Sequence, residues 1–182
     1  MSARAGVVSW FGSAVLLVMS SCAAPRVNAQ SALLSPSSVF VVRHAEKADP
    51  NNPDTPLSPA GEARAVALAT VLANKGVKAV FATEFIRTQQ TAQPAARAAG
   101  VDVVIINNTD RDLLLERARA LAPGSSALIV GHSNTAPAIV QELSGEPVDG
   151  INENEYDNLF EIVFEADGRK RLVRSKYGEL SR

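Results

Sequence analysis

Val-Phe-Val-Val-Arg-His-Ala-Glu-Lys, residues 39–47, is the stretch on which the reading of this chain turns. Four apolar residues in a row, ended by Arg43, His44, Glu46 and Lys47, describe a strand that is covered on both faces and delivers charge to one edge. Continuous apolar runs of this kind suit parallel α/β sheets, whereas half-exposed strands alternate. Ligands bind beyond the carboxyl ends of such strands. Taken alone, the stretch fits equally well a strand that stops in a solvated charged turn. The remainder of the chain decides between the two.

Downstream, residues 48–56 carry three prolines and two asparagines and read as loop. Ser58-Pro59 fits a helix N-cap followed by proline at the first helical position. Ala65, Leu68 and Leu72 form one helical face, Val66, Ala69 and Ala73 an adjoining one, and Asn74-Lys75-Gly76 a stop. A second strand is expected over 78–82, then a helix over 88–99 that contains Pro94 and ends at Gly100. A third strand follows at 101–106 and a helix at 110–122, closed by Pro123-Gly124. A fourth strand is expected at 126–130, leading into Gly131-His132-Ser133-Asn134, and then a short helix at 137–143. An acidic loop, 152–157, precedes a hairpin of 159–165 with 170–176, turned at Asp167-Gly168. Four strand–helix alternations predict an α/β fold: a three-layer α/β/α sandwich whose mainly parallel sheet carries a C-terminal antiparallel hairpin.

Upstream, Arg4 precedes an apolar run over 7–19, with small and polar residues after it, in the pattern of a secretory signal. The run is short for a membrane span. Two cleavage sites compete: Met19-Ser20-Ser21-Cys22 resembles a lipoprotein lipobox with Met in place of Leu, and Val27-Asn28-Ala29 has small-residue spacing. The expected organisation is a signal peptide at 1–21, with 29 as the alternative end, a tether at 22–38 and one domain at 39–182. Cys22 is the sole cysteine, so the fold cannot rest on an internal disulfide. Its place marks it as a candidate for lipid attachment to a membrane, on an exported protein of the periplasm or envelope. The 182 residues are 46% hydrophobic and 20% charged with net charge −1, which suits a single globular domain and offers no basic footprint for nucleic acid.

If the leading strands are parallel, the residues just past them share a rim: Arg43, His44 and Glu46; Glu84 and Arg87; Asp110 and Asp112; His132 and Asn134. The chain has two histidines, and both stand there. Two guanidiniums can each give forked hydrogen bonds to a tetrahedral dianion. A neutral imidazole is a nucleophile near pH 7. A second histidine can donate to the equatorial oxygens, so no metal or other cofactor is required to balance charge. A carboxylic acid would protonate the leaving oxygen and later activate water.

Arg43-His44-Ala45-Glu46, Leu57-Ser58-Pro59-Ala60-Gly61, Arg87-Thr88-Gln89-Gln90-Thr91-Ala92 and Gly131-His132-Ser133-Asn134 resemble, in order, the motifs of the histidine phosphatase superfamily, also called phosphoglycerate mutase-like. The resemblance covers 39–176 and implies a doubly wound sandwich. It implies that His44 becomes phosphorylated, that Arg43 and Arg87 clamp phosphate and that His132 completes the pocket; Asn134 and Glu46, on the same rim, are further candidate substrate contacts. The chain departs from the phytase-like branch, where an aspartate follows the second histidine; Ser133 stands there. Asp110 is the favoured general acid, ahead of Asp112, Glu116 and Glu84. The expected activity is metal-independent hydrolysis of a small phosphomonoester. The alternatives are a phosphate- or sugar-phosphate-binding envelope protein without turnover, a mutase-type phosphotransferase, and metal-dependent hydrolysis with His44 and His132 as ligands.

Overall fold

The structure, a computed structural model, describes residues 35–181. The expected signal segment, both expected cleavage sites, Cys22 and the expected tether as far as Leu34 lie outside the described residues. The elements are β1 (Ser37–Arg43), α1 (Pro59–Leu72), β2 (Val77–Ala82), α2 (Ile86–Ala99), β3 (Val103–Ile105), α3 (Arg111–Arg119), β4 (Ser126–Gly131), α4 (Thr135–Ser144), β5 (Asn158–Phe164) and β6 (Lys170–Lys176). Ser37 and Ser38, assigned to the tether from sequence, belong to β1.

Six strands form one sheet in the order β3-β2-β4-β1-β5-β6. β1, β2, β3 and β4 run parallel, and β5 and β6 add antiparallel on the β1 side. The opening apolar run explains the layering. Val39 and Val41 project into a cluster with Leu115 of α3 and Val140 of α4, while Phe40 and Val42 project into another with Leu68 of α1 and Ala96 of α2. All four β1 side chains are at most 1% exposed. At roughly 1.5–3 kcal/mol for each fully buried side chain of this size, β1 binds both helical layers to the sheet.

α1 begins as its sequence predicts: the Ser58 hydroxyl accepts from the Gly61 amide at 3.2 Å, and Pro59 fills the first helical position. It buries one face only. Ala65, Leu68 and Leu72 are covered, but Val66 on the expected second face is 58% exposed, and Arg64 is buried in its stead. An outer-layer helix covers the sheet with one stripe, and the stripe here runs through Gly61, Arg64, Ala65, Leu68 and Leu72. α2 is continuous through Pro94 and ends on Gly100, whose φ of 68° is the left-handed conformation of a helix C-terminal cap. β3 is shorter than the expected 101–106. It pairs only with β2, and on this edge Val104 and Ile105 remain 48% and 45% exposed.

Candidate active site

The amide of His44 donates to the Gly131 carbonyl at 2.9 Å, so the ends of β1 and β4 are tied together. That link places Arg43, His44 and His132 side by side, with the imidazole centroids 5.4 Å apart edge to face. Arg87 arrives from the first turn of α2. The residues after it lock the approach. Thr91 Oγ1 accepts from the Ala45 amide at 3.0 Å and donates to the Arg87 carbonyl at 2.7 Å, and Gln90 Oε1 accepts from the Leu57 amide at 2.7 Å. From the other side, the 48–56 loop closes on α2: Asp54 Oδ1 accepts from the Ile86 amide at 2.8 Å, and the Pro53 carbonyl accepts from Arg87 Nη1.

The hydrogen bonds assign the protons. His44 Nδ1 lies 2.8 Å from the Ala45 carbonyl, which can only accept. Nδ1 therefore carries the hydrogen, and Nε2 holds the lone pair. Arg87 Nη2, which can only donate, lies 3.2 Å from His132 Nδ1, so that nitrogen accepts and Nε2–H donates to Thr83 Oγ1 at 3.1 Å. Both rings are held neutral. Burial, above all, lowers His44 to about 3 against the opposing pull of the Ala45 carbonyl, with Arg43 and Arg87 lowering it further. Burial and then Arg87 lower His132 to about 4.

Arg43 is 2% exposed. Its Nη1 donates to the carbonyls of Asn152 (2.7 Å) and Glu155 (3.1 Å), its Nη2 to Glu153 Oε2 (2.7 Å), and its guanidinium lies 4.3 Å over the Tyr156 ring. The Nε groups of Arg43 and Arg87 are buried and bond to no described residue. Such a donor costs about 1–3 kcal/mol unless a ligand or water satisfies it. The two guanidiniums line one pocket with the neutral His44 ring, an arrangement that suits a tetrahedral oxyanion.

The open pocket at this rim is lined by Arg43, His44, Arg87, His132 and Asn134, all candidates from sequence, together with Lys47, Phe85, Asn108, Ser133 and Glu153. Three other candidates do not line the pocket. Glu46 is bound by Arg64, at 2.8 Å to Nη2 and 2.9 Å to Nε, so its carboxylate faces α1 rather than the pocket. Asp110 is exposed at the N-cap of α3 and does not line the pocket; β3 ends five positions before it, at Ile105, rather than running to 106. Glu84 does not line the pocket either, although its charge acts on His132 and Arg87; its Oε2 accepts from the Asn108 amide at 2.8 Å. Glu153 was not a candidate from sequence. It lies in the acidic 152–157 loop, where no periodicity points at the pocket, and only the carboxylate charge hinted at a role. Among the described residues, no group of three His, Cys, Asp or Glu is arranged to hold a metal ion.

The sequence model of the histidine phosphatase superfamily (branch 1) matches residues 39–109. No curated protein sequence matches the chain. Among solved structures, one titled mycobacterial hydrolase 2 is similar at TM-score 0.65 and 16% identity, over 80% of this chain and 93% of its own. The protein histidine phosphatase SixA complexed with tungstate is similar at 0.62 and 19% identity, over 76% and 96%. A mycobacterial glucosyl-3-phosphoglycerate phosphatase is similar at 0.62 and 15% identity, over 78% and 99%. At these identities the likeness establishes the fold.

Proposed function

We propose that this chain is a phosphomonoester hydrolase of the histidine phosphatase superfamily, working through a phosphohistidine on His44 without a metal ion. The observation that carries the reading is the pairing of two features: the Nδ1–H contact of His44 to the Ala45 carbonyl, which leaves the Nε2 lone pair for attack, and the two arginines, Arg43 and Arg87, that line the same pocket. The phosphate dianion would sit between Arg43 and Arg87, each giving charge-assisted bonds to its oxygens. As Arg87 turns to the anion, the adjoining negative charge raises the basicity of His132, whose Nδ1 then donates to an equatorial oxygen. Nε2 of His44 attacks phosphorus, and water later attacks the phosphohistidine. Hydrolysis rather than transfer between hydroxyls is favoured by an open pocket, which lets water reach the intermediate.

Brief reaction with a 32P-labelled phosphomonoester, quenched in base where phosphohistidine survives, is expected to leave label on the wild type and none on His44→Ala. Label retained by His44→Ala removes the assignment. Arg87→Ala is expected to lower kcat/KM by about 10²–10³, the size seen when a single oxyanion donor is removed.

A further inference from the structure

We propose that Glu153 is the proton-transferring carboxyl group of this site, giving its proton to the leaving oxygen and then taking one from the attacking water. The inference rests on the covalent reading above. Of the carboxylates near the rim, Glu153 lines the pocket, whereas Asp110 does not. Its two oxygens are held by the chain neighbours of the two histidines. Oε1 accepts from the hydroxyl of Ser133, which follows His132, at 2.6 Å, and Oε2 accepts from Arg43, which precedes His44, at 2.7 Å.

The loop that presents the carboxyl is fixed while the carboxyl itself stays accessible. Arg43 Nη1 binds the carbonyls of Asn152 and Glu155, Glu155 Oε2 accepts from the Asn152 amide at 3.0 Å, and the Tyr156 amide donates to Ser181 Oγ at 2.9 Å. The Glu153 side chain is nonetheless 80% exposed, open to both a leaving group and water. Ser133 thus puts a carboxylate beside His132 by hydrogen bonding to one from another part of the chain.

In the free protein the carboxyl is ionised. The Ser133 hydroxyl above all holds it below the usual carboxylate range; burial pulls it upward, and Arg43 and then Lys47 add to the lowering. His44 and His132 are neutral, and Arg87 stands across the pocket. A bound phosphate competes for Arg43 and sets negative charge beside the carboxylate, both of which favour protonation. A substrate that arrives as its monoanion brings the proton, since the second ionisation of a phosphomonoester lies near pH ~6. As the bond from Nε2 to phosphorus forms, the phosphorus–oxygen ester bond breaks, its electron pair stays on the leaving oxygen, and the Glu153 proton completes the alcohol. In the second half, water oxygen bonds to phosphorus, its proton passes to the Glu153 carboxylate, and the pair of the phosphorus–nitrogen bond returns to Nε2.

The test is the leaving-group dependence of full-length Glu153→Gln, a near-isosteric change whose folding is checked by thermal melting. Single-turnover phosphorylation is measured with an alkyl phosphate, phenyl phosphate, 4-nitrophenyl phosphate and 2,4-dinitrophenyl phosphate. The variant is expected to lose about 10²–10⁴ on the alkyl ester and less than about 10 on the dinitrophenyl ester, whose leaving group needs no proton. In parallel, Ser133→Ala, which removes the hydroxyl that holds the carboxyl down, is expected to move the basic limb of kcat to higher pH. A loss of the same size across the series makes Glu153 a positioning residue for Arg43 and overturns the proposal, as does an unaffected rate. Absence of label on wild-type His44 with the dinitrophenyl ester overturns the covalent reading itself, and the proposal with it.

Discussion

Gly61→Ala tests whether the start of α1 and the catalytic turn are packed against each other. A Cβ at Gly61 would stand 2.3 Å from the Glu46 carbonyl oxygen, 3.0 Å from its amide nitrogen and 3.2 Å from its carbonyl carbon. All three are backbone atoms, so no side chain can swing aside. Ordinary contact requires the helix start or the Glu46 peptide to move by about 1 Å, which also strains the Ser58 amide bond to the same carbonyl, 2.9 Å long. Overpacking of about 1–3 kcal/mol and a weakened hydrogen bond of about 1 kcal/mol sum to roughly 2–4 kcal/mol. For a domain of this size that corresponds to a fall in Tm of about 5–15 °C. Glu46 stands two positions after His44, so the same shift should misplace this proposed nucleophile and cost about 10²-fold in kcat/KM. Thermal melting and 4-nitrophenyl phosphate kinetics read both effects. Gly145→Ala is the comparison: φ is 82° but nothing lies within 4 Å of its Cβ, so about 1–2 kcal/mol of stability should go and kcat/KM should stay. Wild-type melting and turnover in Gly61→Ala would refute the argument.

Two further outcomes follow from the buried charges. NMR titration of the imidazoles is expected to find His44 neutral to about pH 3 and His132 to about pH 4, with His132 moving upward when inorganic phosphate is added. Because the unfolded chain takes up these protons near 6.5 and the folded chain does not, the urea midpoint should fall as pH drops below about 6.5; either imidazole titrating near 6.5 contradicts the site geometry. Arg64→Met leaves Glu46 unpaired and the Tyr177 carbonyl, now 3.0 Å from Nη1, without its donor. A loss of about 3–5 kcal/mol is expected, while in Arg64→Met/Glu46→Leu much of it should return; equal melting temperatures for the single and double variants would show that the pair is not what matters.

Local signals made the fold legible. The run of residues 39–42, the Ser58-Pro59 cap and Gly100 each act within a few residues, and the structure uses each as sequence alone suggests. The convergence of Arg43, His44, Arg87 and His132 was legible because parallel strands send their ends to one rim. The roles of Arg64 and Glu153 were not. A buried arginine is intelligible only with its partner, and Glu46 lies 18 positions away on a different element. Glu153 meets Arg43 across 110 positions, through a loop that has neither helical nor strand period. Asp110 attracted attention for the opposite reason: it opens a loop at a strand end, but β3 stops at Ile105 and α3 turns that position to solvent.

The position of β1 in the sheet also governs how the chain reaches this state. β1 pairs with β4, which begins at Ser126, and with β5, which begins at Asn158, so the first strand made finds both neighbours only after most of the chain is available. Loop closure must come before either ladder rewards it, which places the fold among topologies that form slowly. Until then, a strand with four consecutive apolar residues has two open edges. A nascent or truncated chain ending before β5 would expose Val39, Phe40, Val41 and Val42 on one of them, a template for pairing with other chains. The residues that lead into His44 therefore need protection while the protein is being made.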